Sequence, residues 1–169
     1  RGKTTAGGLL TEPQAGSDTA NFRTTARRDG ADYVLNGTKQ FISNGSEAGF
    51  AFALAITDKN AGKRGASLFI VDPKAPGYKV ARVEQKLGQR SAHVAQIVLH
   101  EQRVPAENLL GEEGSAYARM LGGMSEGRIG IAAVAVGVAR AALEAAVKYA
   151  KEREAYGAPI IRLQGVSFD

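Results

Sequence analysis

The sequence predicts an α+β protein: an antiparallel β-sandwich or barrel-like domain followed by a long helix. Two observations carry this. Between Arg23 and about His100, short apolar runs alternate with Gly, Pro, Asn and Asp turn signals, the pattern of a many-stranded all-β unit. Beyond Ser115 the period becomes helical, with Ile131, Val134, Val138, Ala142, Ala145 and Tyr149 falling on one face of an Ala-rich stretch. A turn-rich connector, Val104 to Gly111, lies between them. It divides the chain into residues 1–111 and 112–169.

The strands follow in order. Phe22 to Ala26 is the first. Tyr33 to Ile42 reads as a hairpin, because Asn36-Gly37 supplies the two φ > 0 positions of a type I′ turn between apolar arms. Asn44-Gly45 marks a second turn. Phe50 to Ile56 is continuously apolar, as a strand buried on both faces would be. A polar loop, Lys59 to Gly65, precedes a strand over Ser67–Val71, and Tyr78–Val83 and Val94–Leu99 complete the set. The helix is expected from Ser115 to Arg153 and stops near Gly157-Ala158-Pro159. Gly122, Gly123, Gly127, Gly130 and Gly137 weaken it, which is best explained by close approach of another helix or a ligand. A second helix begins after Pro159.

Composition narrows the functions. The chain has 169 residues, of which 44% are hydrophobic and 7% aromatic, with no Trp, so the core should be aliphatic and Ala-rich. The net charge is +5, yet basic and acidic residues are interspersed. That fits a groove for a phosphate-rich small molecule better than a nucleic-acid surface. The absence of Cys excludes disulfides, thiolate catalysis and Cys-type zinc sites. His93 and His100 have no acidic cluster around them, and no metal site is expected. The longest apolar run, Ile129 to Ala139, is too short to cross a bilayer. The chain starts at Arg1 and stops at Phe168-Asp169 inside a predicted helix, so a fragment is expected.

The most unusual stretch is Leu9-Leu10-Thr11-Glu12-Pro13-Gln14-Ala15-Gly16-Ser17-Asp18. Pro13 fixes its own φ and pushes Glu12 out of the helical region. Gly16 permits a close backbone approach. Thr11 and Ser17 bring hydroxyls that both donate and accept. Such a loop is either an ornate surface turn or a cradle for a group with many acceptor atoms, such as a phosphate or the edge of a flavin ring.

The order of these residues closely resembles the T-E-P-x-A-G-S-D signature of acyl-CoA dehydrogenases. Four more stretches resemble the same family. Gly37-Thr38-Lys39-Gln40-Phe41-Ile42-Ser43-Asn44-Gly45 looks like its G-x-K-x-W-I-T-N-G strand, with Phe41 in the Trp position and Ser43 in the Thr position. Leu87 to Ser91 and Val104 to Gly111 resemble its G-x-R-x-S and V-P-x-x-N-x-L-G segments. Ser125-Glu126-Gly127-Arg128 and the glycines after it resemble the helix that lines the acyl-CoA pocket. Tyr149 to Gln164 resembles Y-A-x-x-R-x-x-F-G-x-P-I-x-x-x-Q, with Ala155 where Thr is common.

The resemblance runs from Leu9 to Gln164. It implies the family's middle β-domain and the first part of a four-helix C-terminal domain, and it implies FAD as cofactor. Leu9, Leu10, Thr11, Ser17, Phe41, Ile42, Ser43, Arg153 and Gln164 are then the cofactor-binding residues, Arg153 reaching the FAD diphosphate across a subunit interface. Ser17, Ser125 and Arg128 are the substrate-binding residues, with Arg128 suited to forked hydrogen bonds. The implied reaction is α,β-dehydrogenation of an acyl-CoA thioester, with an electron-transfer flavoprotein as acceptor and a homo-oligomer, dimer or tetramer, as the assembly. The base is expected beyond Asp169, because Gly127 occupies the position used by some members and Glu126 is rotated about 100° away on a helix. The 169-residue piece alone is expected to be inactive. An acyl-CoA oxidase or a flavin monooxygenase on the same scaffold is the alternative enzyme, and a non-catalytic binding module the alternative of another class. No nucleic-acid partner and no membrane span are expected, and the missing cysteines and targeting sequence fit a bacterial cytoplasm.

Overall fold

Seven strands hydrogen-bond into one mixed sheet that curls into a half-barrel. The computed structural model describes residues 2–168, leaving Arg1 and Asp169 aside. The strands are β1 (Ala6–Leu9), β2 (Thr25–Asp29), β3 (Asp32–Ser43), β4 (Phe50–Ile56), β5 (Ala66–Val71), β6 (Tyr78–Val83) and β7 (Val94–Pro105). They are followed by α1 (Ala116–Glu152), a short ribbon of β8 (Glu154–Ala155) and β9 (Ala158–Pro159), and α2 (Gln164–Ser167). The chain divides into two compact units, residues 1–120 and 121–169.

In the first unit β5 pairs with β4, β2 with β3, β3 with β7 and β7 with β6, all antiparallel. β1 and β2 run parallel to β4, so the sheet is mixed where an antiparallel one was expected. Along one edge of β4, β1 covers Phe50 to Ala53, and β2 meets only Ile56. Leu54 and Ala55 fall in the gap between these two partners. The core is aliphatic and Ala-rich, as its composition predicts: Leu9, Leu35, Val71, Ile97 and Leu99 pack with Ala51, Ala53, Ala55 and Ala95. The rings of Tyr33 and Phe69 meet at 4.9 Å, and the Tyr33 hydroxyl donates to Glu113 at 2.8 Å.

Strands β4 and β6 match the expected spans, and β5 begins one residue earlier. Other expectations are corrected. Phe22 to Thr24 precede β2 rather than belong to it. β1 went unpredicted, because Ala-Gly-Gly-Leu carries no strand preference of its own and is held by pairing to β4. β7 runs on through Val104 and Pro105, into the expected connector.

The largest correction is the Asn36-Gly37 hairpin. β3 passes straight through it, and neither residue has a positive φ. The turn lies earlier, at Gly30-Ala31, where Gly30 alone has a positive φ, +64°, the pattern of a type II′ turn. Asn36 instead exchanges two hydrogen bonds with Glu101, its side chain donating at 2.7 Å and accepting the Glu101 N–H at 2.9 Å. The type I′ pattern, positive φ at both central residues, occurs at Tyr156-Gly157 between β8 and β9.

In the second unit α1 forms as expected, but its apolar residues are not a buried face: Ile131, Val134, Val138 and Tyr149 are exposed. No other long helix is available among the described residues to cover them. By length and composition alone α1 is also apolar enough to cross a membrane, a test that the core helix of a soluble protein passes too. After Pro159 the chain makes a 3₁₀ turn (Ile160–Arg162), and the expected second helix, α2, begins at Gln164.

Candidate functional site

The loop after β1 is built around a buried ion pair. Glu12 and Lys39 meet at 2.9 Å, with 2% and 0% of their side chains exposed. Every hydrogen-bonding position of the pair is used. One Glu12 oxygen accepts from Gln14 and from the Arg23 N–H, both at 2.7 Å. The other accepts from the Thr24 N–H at 3.0 Å and from Lys39. The ammonium has three protons to donate. They go to Glu12, to the Leu10 carbonyl at 3.2 Å and to the Leu54 carbonyl at 2.7 Å. Leu54 lies in the gap that neither β1 nor β2 covers, so Lys39 Nζ replaces a missing ladder bond there.

Burial opposes ionisation of Glu12, but the Lys39 charge and the hydrogen bonds from Thr24, Lys39 and Arg23 outweigh it and lower the pKa from 4.5 to about 2. Burial lowers Lys39 to about 8, against the upward pull of Glu12. A carboxyl whose pKa is depressed on folding contributes stability that is complete above its unfolded pKa and lost as pH falls through its folded one. The Glu12 contribution is therefore intact above pH 4.5 and disappears as pH approaches 2. Acid titration of folding stability in wild type and Glu12→Gln checks this: only the wild type should lose stability of a few kcal/mol from this step.

The ion pair orders two neighbouring elements. Thr11 O accepts the Gln40 N–H at 2.8 Å, so the Leu10 and Thr11 carbonyls are tied to consecutive residues of β3. Among the described residues neither the N–H nor the hydroxyl of Thr11 takes a protein partner. On β3 the register against β7 shifts between Lys39 and Ile42. Lys39 is buried against Glu12, Gln40 is covered by hydrogen bonds to the side chains of Glu84 and Gln96, and Phe41 has φ +57° and 63% exposure. A positive φ is unusual for a bulky residue, and such strained positions cluster at functional sites. Ser17 and Ser43 are exposed.

Of the expected cofactor residues, Leu9 is wholly buried and Ile42 almost so, both within the core cluster beneath the loop and the bulge. The structure brings Leu10, Thr11, Phe41 and Ser43 onto one part of the first unit, through the Gln40–Thr11 bond. Ser125, Arg128, Arg153 and Gln164 are exposed members of the second unit. Ser125 donates to Leu121 O at 3.1 Å, Arg128 makes no ion pair among the described residues, and the Arg153 N–H and carbonyl bond to Tyr149 and Ile160. Positions beyond 169 lie outside the chain described. Glu12 and Lys39 themselves were missed as a buried pair. The available signal was a lysine between the apolar ends of one strand, Tyr33 to Leu35 and Phe41-Ile42.

A curled sheet unit with a donor-bearing loop, followed by a long apolar helix, defines a two-part α+β protein. Its sequence matches the family model "Acyl-CoA dehydrogenase, middle domain" over residues 7–101 and "Acyl-CoA dehydrogenase, C-terminal domain" over 113–169. The chain belongs to the acyl-CoA dehydrogenase family. It is 45% identical to an acyl-CoA dehydrogenase of Bacillus subtilis over 159 residues, 94% of this chain and 42% of that protein. Among solved structures it resembles butyryl-CoA dehydrogenase of Megasphaera elsdenii, with a TM-score of 0.92 and 39% identity over 98% of this chain and 43% of the other. It also resembles a prolyl acyl carrier protein oxidase, with a TM-score of 0.91 and 37% identity over 96% of this chain and 43% of the other. The chain spans about two fifths of the length of the curated relatives it matches.

Proposed function

We propose that the whole protein is an FAD-dependent dehydrogenase that introduces an α,β double bond into an acyl-CoA thioester. The observation that carries this reading is Thr11. Its N–H and hydroxyl are unpartnered among the described residues, while its carbonyl is fixed by Gln40, the residue next to the exposed Phe41. A donor pair beside a flat aromatic suits the acceptor-rich edge and face of an isoalloxazine. Leu10, Thr11, Phe41 and Ser43 would hold the ring, with Ser17 toward the diphosphate or pantetheine and Arg153 and Gln164 serving the cofactor in an oligomer. Bound FAD would supply the hydride acceptor. Ser125 and Arg128 would hold the acyl-CoA, and an electron-transfer flavoprotein would take the electrons.

The base belongs elsewhere than position 127, where glycine has no side chain. Glu126→Gln in the whole protein is expected to leave turnover nearly intact. A loss of several orders of magnitude would assign the base to Glu126 instead. The cofactor reading is tested by the absorbance spectrum of the purified whole protein after FAD addition and desalting. Retained bands near ~370 and ~450 nm, those of a protein-bound oxidised flavin, are expected. A colourless protein would defeat the reading.

The likeness to a prolyl acyl carrier protein oxidase favours a second reading, an oxidase on the same scaffold. The rate at which O₂ reoxidises the reduced protein separates the two: slow for a dehydrogenase, fast for an oxidase.

A further inference from the structure

We propose that Lys39 is a positioning residue for the flavin. It sets the Leu10–Thr11 edge and the Phe41 bulge through contacts that make no use of the cofactor itself. This rests on the FAD reading above.

Three observations converge on Lys39. First, its ammonium bridges the split in the sheet, joining the loop carbonyl of Leu10 to the β4 carbonyl of Leu54. Without it the loop leaving β1 has no tie across the gap at this level. Second, its neighbour Gln40 clamps the Thr11 carbonyl at 2.8 Å. Residues 39 and 40 thus hold two successive carbonyls. The unpartnered Thr11 N–H and hydroxyl are left for a ligand. Third, the register shift that turns Phe41 outward begins at Lys39. Lys39 opposes the core residue Ile97 and Ile42 opposes the core residue Ala95, so one extra residue is accommodated between them and Phe41 takes φ +57°.

Stability alone does not account for such a lysine. Taking two charges out of water is expensive, and well-packed apolar side chains commonly do as well or better. What an apolar residue could not do is donate to Leu10 O, Leu54 O and Glu12 at once. Glu12 balances the charge and ties the Arg23 and Thr24 N–H groups into the same knot.

The test compares Lys39→Met with Gly77→Ala in the whole protein, by FAD titration and flavin absorbance at a temperature where all variants are folded by circular dichroism. Gly77 lies in the β5–β6 connection, and a Cβ there would come within 2.5 Å of Gln102 Cα. Gly77→Ala therefore destabilises the sheet away from Leu10 and Thr11 and serves as the structural control. Lys39→Met is expected to weaken FAD binding about tenfold, the equivalent of one lost site hydrogen bond, and to shift the flavin band. Gly77→Ala should stay within about twofold of wild type. Glu12→Gln is the second variant should Lys39→Met not fold. It keeps the lysine donors to Leu10 and Leu54, so FAD binding should survive while stability falls. Lys39→Met with unchanged affinity and spectrum, equal weakening in Gly77→Ala, or loss of FAD binding in folded Glu12→Gln would each overturn the proposal. A wild type that binds no FAD would overturn the cofactor reading itself, and the role of Lys39 with it.

Discussion

Lys39→Met will lower folding stability by roughly 3–5 kcal/mol, the range for removing one partner of a buried ion pair, and the thermal midpoint by about 10 °C or more. The loss has two parts. The Glu12 carboxylate stays in the interior with its N–H donors but without its countercharge. The carbonyls of Leu10 and Leu54 lose their donor in a place water does not readily reach. An exposed pair gives the contrast. Arg140 and Glu144 meet at 2.7 Å on the surface of α1, with 79% and 64% of their side chains exposed, and such pairs contribute little. Arg140→Ala should leave the midpoint unchanged. Parallel melting curves of the two variants measure this. Equal effects would mean that Lys39 is not held in the dry environment described.

Gly37→Ala will be the second severe change. A Cβ at residue 37 would fall 2.7 Å from both Cα and Cβ of Thr24 and meet the Thr24 hydroxyl as well. The obstacle includes backbone, so it cannot swing aside like the end of a flexible side chain. Overpacking of this kind costs roughly 1–3 kcal/mol, occasionally more, and here the displaced residue also carries a hydrogen bond to Glu12. Gly37→Ala should thus lose about 3 kcal/mol in denaturant melting. Gly8→Ala, where a Cβ would meet nothing within 4 Å, should change stability far less. Were Asn36-Gly37 a hairpin tip, the damage would come from backbone strain at positive φ; at residue 37 it comes from a neighbour.

That difference marks where local sequence stops being informative. Asn36-Gly37 is a strong hairpin signal, and no feature of residues 33–42 alone contradicts it. What overrides it is the neighbourhood: Glu101 on β7 takes the Asn36 amide, and Thr24 crowds Gly37. β1 could not be read from Ala-Gly-Gly-Leu either, since its order comes from pairing with a strand more than forty residues away. β4, β6 and most of β5 and α1 were legible because their apolar patterns and end signals are local. The site divides in the same way. Thr11, Ser17, Phe41 and Ser43 were named from motifs and are partly or wholly exposed. Leu9 and Ile42 belong to the same motifs, yet serve the core beneath them.

By itself the sequence determined the family, the order of a sheet unit and a helical unit, and an aliphatic core without cysteine chemistry. Those properties reside in residue identity and spacing along the chain. Only the tertiary structure decided that β1 and β2 leave a gap along β4, that Lys39 bridges it with Glu12 as counterion, and that Phe41 must leave the sheet at a bulge. The physical reason is that a charge becomes tolerable in the interior only when partners from separate segments converge on it. Here they come from Leu10, Glu12 and Leu54, and that convergence is a property of the fold rather than of any one stretch.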